Sequence, residues 1–366
     1  MYSEVNIDDS LRPIDHFKEI HRWDIEPMPH RNLKVITMIS NPIRYKTRYN
    51  LYRKFAKHMA DSGVDLITCE VQQGERPFAV TDPKNPHHIQ LRTYHELWMK
   101  ECALNICMKR VYELYPDFQY FAWIDADIMF HNPAWAAEAL AMLQRYRIVQ
   151  LWSSAIDLNS LMNPERDRPI TYSFGWCYVQ SLHYPEKMGV LDSAGVWHFN
   201  MGINDYKDYS AKKKPFWHSG YAWAMRRQTY EDLGGPYDAG LFEMGILGSG
   251  DHHMALAWIE EAYRSMPAKL GTRYSDLVLE YQNRSHKFVQ KDIGYIDGAI
   301  SHYFHGSKEK RGYRTRWQIL AENKFDPTYD IKRDKNGLFM LTDRNIKLRD
   351  DIRCYFDSRD EDEKNC

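Results

Sequence analysis

A chain of 366 residues can bury a sizeable core as one large domain or two. Its 43% hydrophobic and 27% charged residues are ordinary for a globular protein, and a net charge of −1 excludes the global basic field of a dedicated nucleic-acid binder. No apolar run approaches the ~20 residues that cross a bilayer, and the six cysteines (Cys69, Cys102, Cys107, Cys177, Cys354, Cys366) form neither a C-x-x-C pair nor a metal-finger spacing.

The chain opens on MYSEVNIDDSLRPIDHF, which is polar and lacks an apolar signal core, so a reducing, cytoplasmic location is expected. Residues 1–32 read as an N-terminal extension. LKVITMIS (33–40) is a short β-branched run, a strand. Residues 45–62 carry helical spacing (Tyr45, Tyr49, Tyr52, Phe55, Met59), with Gly63 as the stop. VDLITCEV (64–71) is a second strand, residues 96–114 an amphipathic helix, and YFAWI (120–124) a third strand. Asn132-Pro133 opens another helix, and RIVQLW (147–152) is a fourth strand. Strands alternating with helices predict an α/β sandwich around a largely parallel sheet.

From 154 to 215 periodicity fades, which reads as a functional insertion on the acceptor side. Regularity resumes with FWHSGYAWAM, a helix near 251–263 and a strand near 293–304; residues 326–366 form a charged tail. The aromatic content of 14%, with 25 Tyr and 11 Trp, fits either stacking on sugars and bases or ordinary packing. Basic stretches from Arg44 to His58 and from Lys308 to Arg316 flank the candidate site and suit a pyrophosphate rather than a polymer.

The most informative feature is Asp125-Ala126-Asp127, directly after an apolar strand. In extended backbone, residues two apart share a side, and α/β sheets bind ligands at the carboxyl ends of their strands. Two adjacent carboxylates call for a compensating cation, and Mn²⁺ or Mg²⁺ bridging to a diphosphate is the chemical logic. The competing reading is a polar turn capping the next helix.

The segments WMKECALNICM (98–108) and YFAWIDADIMFHNPAW (120–135) resemble the helix-then-DxD arrangement of GT-A glycosyltransferases, of the galactosyltransferase-like or family 2-like kind. The resemblance implies a Rossmann-like α/β/α sandwich with a mostly parallel mixed sheet over residues 33–325. It implies that Lys100 faces donor phosphates and that Asn105 holds the loop around them. HSGYAWAMRRQTYEDLGG (218–235) is similar to the donor-sugar loop of that class, with Ser219, Gly220 and Trp223 at the matching positions. GILGSGDHHMALAW (245–258) resembles its Gly-Glu-Asp motif. Asp251 takes the place of the general base, Gly250 stands where the family has Glu, and a helix cap is the alternative role.

GAISHYFHGSKEKRGYRTRW (298–317) looks like the late histidine segment, which implies a metal ligand from His305 or His302 and phosphate contacts from Lys308 and Arg311. Lying three apart in a strand, the two histidines face opposite sides. Only one is expected to reach the metal, and His305 is preferred because Gly306 leaves room for a diphosphate. "KE..LN", "DADI.F" and "HG...R.Y..R" signatures also occur in bacterial and viral GT-A proteins; were the chain viral, its compartment would be a host cytoplasm. Asn41 and Arg44, after the first strand, are expected at the nucleotide base and ribose.

The implied reaction moves a sugar from a nucleotide-diphosphate sugar to an acceptor hydroxyl with inversion. The ion would rest on Asp127 and a late histidine, with Asp125 on the ribose or the metal. The acceptor is a saccharide or a hydroxymethylated base in viral DNA. A sugar nucleotidyltransferase is the rival enzyme, although SNPIRYK (40–46) lacks its glycine-rich loop. A non-catalytic sugar-binding module is the other rival.

Overall fold

The computed structural model describes residues 27–165, 170–183, 189–191, 197–199, 217–236, 238–266, 269–307, 310–312 and 315–362. Most of the N-terminal extension, much of the 154–215 stretch and the candidate Lys308 lie outside them.

In chain order the elements are β1 (Leu33–Ser40), α1 (Lys46–Asp61), β2 (Asp65–Gln73), β3 (His88–Thr93), α2 (Lys100–Leu114), β4 (Tyr120–Ile124), β5 (Ile128–Phe130), α3 (Trp135–Arg145), β6 (Ile148–Gln150), β7 (Ser154–Asp157), β8 (Thr171–Ser173) and α4 (Phe174–His183). Then follow β9 (Gly189–Leu191), β10 (Trp197–Phe199), β11 (Trp217–His218), β12 (Ala222–Arg226), α5 (Arg227–Asp232), α6 (Gly250–Trp258), α7 (Thr272–Phe288), β13 (Ile293–Tyr295) and β14 (Ala299–His302). The last are α8 (Arg316–Glu322), α9 (Pro327–Asp330), β15 (Ile331–Arg333), β16 (Phe339–Leu341) and α10 (Ile346–Ser358).

The central sheet has seven strands in the order β3-β2-β1-β4-β12-β6-β13, parallel except for β12, which runs against β4 and β6. Strand alternation sends large side chains to one face and small ones to the other. Trp223 pairs with Trp123 on one side of the β12–β4 ladder, and Ala224 with Ala122 on the other. The large face packs with α2, α4, α6 and α7 into one apolar cluster; the small face lets α3 approach β12 and β6, and α1 joins that second cluster. This is the α/β/α sandwich with a mostly parallel mixed sheet expected of the GT-A class. No helix among the described residues is long and apolar enough to cross a membrane.

Several elements differ from the sequence expectation. Gly63, at φ 70°, does end α1, but Asn132 turns the chain through Ala134 N–H (2.9 Å) and α3 starts only at Trp135. The strand expected at 293–304 is two strands in two sheets, broken at Gly298, whose φ of 139° suits glycine. Within the aperiodic stretch, α4 packs on β6 and β13 as part of the sandwich. Its residues from Phe174 to Ser181 are all buried, so no polar face marked it as a helix.

His253, on α6, is fully enclosed and hydrogen-bonds Ser265 Oγ (2.7 Å) and Tyr274 Oη (3.0 Å). Burial, reinforced by His252 and Arg316, holds it well below its ordinary value of 6.5, so the folded protein keeps it neutral. The unfolded chain takes a proton there below pH 6.5, so this stability is complete above that pH and drains as pH falls. Urea unfolding should show stability falling by about 1.4 kcal/mol per pH unit for this group below pH 6, a slope missing from His253→Gln. Identical slopes in the two proteins would contradict the assignment.

Candidate functional site

The site forms where the chain crosses from the central sheet into a second, five-stranded sheet of order β11-β8-β7-β14-β5. Asp125, Ala126 and Asp127 make that crossing between β4 and β5. Two backbone bonds fix it: Asp125 N–H donates to Tyr221 O (2.7 Å) and Tyr303 N–H to Asp127 O (2.8 Å). Register does the rest, since β14 sets His302 opposite Ile128 on β5 and opposite Asp157 on β7.

Asp127, His302 and His305 thereby converge, with one ligand atom from each lying within 4.8 Å of the others. His305 Nε2 is 2.9 Å from Asp127 Oδ2, and His302 Nδ1 is 2.8 Å from Asp157 Oδ1. Burial pushes Asp127 up, but the facing His305 outweighs it and holds the carboxyl low and ionised; burial lowers His302 to about 4, leaving a neutral ring. Asp127 Oδ1 is buried without a hydrogen-bond partner among the described residues, and neither ring nitrogen of His305 has an aligned one. An orphaned carboxylate oxygen beside the ring nitrogens of two histidines fits a cation. Two imidazoles with one carboxylate suit a first-row transition ion better than Mg²⁺, which prefers oxygen.

Two expectations change here. Both histidines reach the cluster, because β14 ends at His302 and the chain then turns through Gly306 (φ 89°). Strand alternation therefore does not apply to His305. Gly306 also leaves no room for a diphosphate: a Cβ there would lie 3.0 Å from Asp360 O and Glu361 Cα, so the space belongs to the C-terminal segment.

Asp125 is not in the metal-ligand cluster. Its carboxylate lies 2.7 Å from Lys100 Nζ, which also bonds Asp251 Oδ2 at 2.6 Å. Lys100, the first residue of α2, is thus occupied by two carboxylates rather than turned toward phosphate. Asp251 sits in the first turn of α6 without capping it; the cap position is Ser249, with φ 71° and no side-chain cap bond. The Trp123 indole N–H approaches Asp251 Oδ1 at 3.5 Å.

Sequence reasoning passed over Glu101. Its carboxyl, 2% exposed, fills the space a side chain at residue 250 would need: a Cβ there would lie 2.3 Å from its Cδ. A side chain at residue 250 would collide with that carboxyl, which accounts for the glycine there. With one ammonium among Asp125, Asp251 and Glu101, burial and the charge of Asp251 push Glu101 up to about 8, and burial pushes Asp125 up to about 7 against the charge of Lys100.

Between the two ends runs the 218–221 loop. Gly220 lies close enough to Asp251 that a Cβ would sit 3.5 Å from Oδ2. The His218 ring stacks on Tyr221 (4.2 Å), and Tyr221 lies 4.8 Å from His302. Ser219 is buried, its carbonyl accepting from Trp223 Nε1 (2.7 Å), while Gln150, also passed over, donates to the carbonyls of His218 and Gly220. Trp223 is fully buried and holds this loop from beneath rather than facing a sugar.

Other candidates have structural partners. Asn41 closes a turn, bonding Tyr45 O (2.7 Å) and Tyr45 N–H (2.9 Å), so its amide is committed to backbone. Arg44 is exposed. Asn105 pins the 241–243 segment through Leu241 and Glu243 and accepts from Tyr230 Oη. Arg311, 2% exposed, donates to Gly306 O (3.2 Å).

No protein-family model matches this chain, and no curated protein sequence matches it. Among solved structures it is similar to a glycosyltransferase involved in the glycosylation of the major capsid of PBCV-1, with 9% identity over 42% of this chain and a TM-score of 0.19. That match spans 66% of the other chain, just under two thirds. A second is mannosyl-3-phosphoglycerate synthase from Rubrobacter xylanophilus, with 10% identity, 85% of this chain and 86% of that chain covered, and a TM-score of 0.32.

Replacing Lys100 with methionine would strand Asp125 and Asp251 without their cation. Loss of one partner from a fully buried ion pair costs about 3–5 kcal/mol; with the two carboxylates 28% and 15% exposed, screening by solvent brings this to about 1–3 kcal/mol, which chemical denaturation of the metal-free protein should register. A loss below about 1 kcal/mol would contradict the bridging role.

Proposed function

We propose that this chain is a metal-dependent glycosyltransferase using a nucleotide-diphosphate sugar. The observation that carries the reading is the pairing of the Asp127–His302–His305 cluster with Asp251, through Asp125 and Lys100, at the carboxyl end of the middle strand of an α/β sheet. Asp127, His302 and His305 would hold the ion, Mn²⁺ before Mg²⁺. When bound, it supplies positive charge against a departing diphosphate.

The chain's own groups would do the rest. Asp251 would accept the proton of an acceptor hydroxyl as its oxygen bonds to the anomeric carbon. The bond from that carbon to the diphosphate oxygen breaks on the opposite side, which inverts the centre. Lys100, 2.6 Å away, would orient Asp251 for this role. Arg311, near Asp127 but buried, would balance leaving-group charge from behind the cluster rather than by direct contact. The His218 ring, which fills the Cβ side of Gly220, would line the sugar's side of the site near Asp251, and Asn41 and Arg44 would border the nucleotide. The acceptor we propose is a saccharide, with a hydroxymethylated base in DNA as the alternative that a panel of acceptors would reveal.

Hydrolysis and transfer assays over a panel of nucleotide sugars, with and without Mn²⁺, test the whole reading; binding or turnover of none of them with metal present would sink it. Asp127→Ala should lower turnover by at least about 100-fold and abolish its stimulation by metal. Asp251→Asn should lower transfer by about 10²–10⁴-fold while donor affinity stays within a few-fold. Full transfer by Asp251→Asn would remove that residue as the base.

A further inference from the structure

Residues 359–362, which follow α10, do not trail into solvent. Asp360 N–H donates to Tyr45 Oη (2.9 Å), and the Asp362 carboxylate accepts the Lys46 and Thr47 N–H groups (both 2.8 Å) at the start of α1. Between them Glu361 is 1% exposed. Its Oε1 accepts from Arg359 Nε (2.6 Å) and Arg48 Nη2 (2.8 Å), and Arg48 Nε meets Oε2. The same Oε2 lies 3.5 Å from His305 Nδ1.

His302 presents the parallel arrangement. Its Nδ1 is taken by Asp157, so only Nε2 is left for a ligand within the cluster. On His305, Nε2 is the nitrogen facing Asp127, and Nδ1 faces away from it toward Glu361. Each ring thus has one nitrogen toward the cluster and the other turned to a carboxylate from a distant part of the chain, hydrogen-bonded for His302 and 3.5 Å away for His305. Such an outer carboxylate fixes the tautomer of a ligating histidine and raises its basicity.

We infer that Glu361 is a positioning residue of the metal centre, setting His305 to bind through Nε2 as Asp157 sets His302, so that residues 359–362 are part of the site. This rests on the reading of Asp127, His302 and His305 as a metal centre. It also accounts for Gly306, whose missing side chain lets the 359–361 backbone reach His305.

Two measurements on the full chain test it, neither relying on turnover. Mn²⁺ titration by calorimetry should show affinity reduced about 10–100-fold in Glu361→Gln and in Asp157→Asn. Asp362→Asn loosens the same segment without touching His305, and should stay within about threefold of the parent. Parent-like affinity in Glu361→Gln, or an equal loss in Asp362→Asn, would overturn the inference. Should Glu361→Gln fail to fold, long-range ¹H–¹⁵N spectra of the ¹⁵N-labelled parent with Zn²⁺ decide the matter. Nδ1–H tautomers with metal at Nε2 are expected for both histidines, and metal at Nδ1 of His305 overturns the claim. A parent that binds neither ion removes the centre itself and with it the metal-dependent reading above, whereas normal binding with an unaffected Glu361→Gln removes only the role of Glu361.

Discussion

One buried ammonium holds the site together. Lys100 meets Asp125 from the crossover between the two sheets and Asp251 from the start of α6, at 2.7 and 2.6 Å. Two carboxylates in that space repel each other and lose their hydration, so their common cation fixes the distance between the elements that carry them. Glu101, the next residue on α2, stands against Gly250, its carboxyl pushed up by burial and by the charge of Asp251. The geometry of the acid end therefore follows from charge balance at the first turn of one helix.

The other end is governed by strand register. The β5–β14–β7 ladder sets His302 beside both the aspartate crossover and Asp157, and ending β14 at that point frees His305 to turn inward. The two aspartates, expected to share a metal, divide between the two ends: Asp127 faces the histidines and Asp125 faces Lys100. In this arrangement the 125–127 segment is the joint between the Asp127–His302–His305 cluster and the ion pairs that Lys100 makes with Asp125 and Asp251. The 218–221 loop spans the gap, held by Gln150 and Trp223 from below.

Much of the framework was legible because it is local. Apolar runs such as LKVITMIS and YFAWI, the spacing of residues 45–62 and the stop at Gly63 all depend on neighbours within a turn or a strand. Elements that failed to show were those whose pattern is set from outside. The α4 helix is buried on every side, β3 is an edge strand of mixed character, and the 293–304 run is divided between two sheets by Gly298.

By itself the sequence determined an α/β sandwich, a carboxylate pair at a strand end, and a late segment carrying two histidines and a cluster of cations. Only the tertiary structure decided what each group faces. Lys100 and Asp251 are 151 residues apart and His302 and Asp157 are 145 apart, and Glu361 comes to His305 from beyond the last helix. Local propensity sets where strands and helices begin and end. Side-chain partners depend on which strands become neighbours and in what register, and that is settled when the whole core packs.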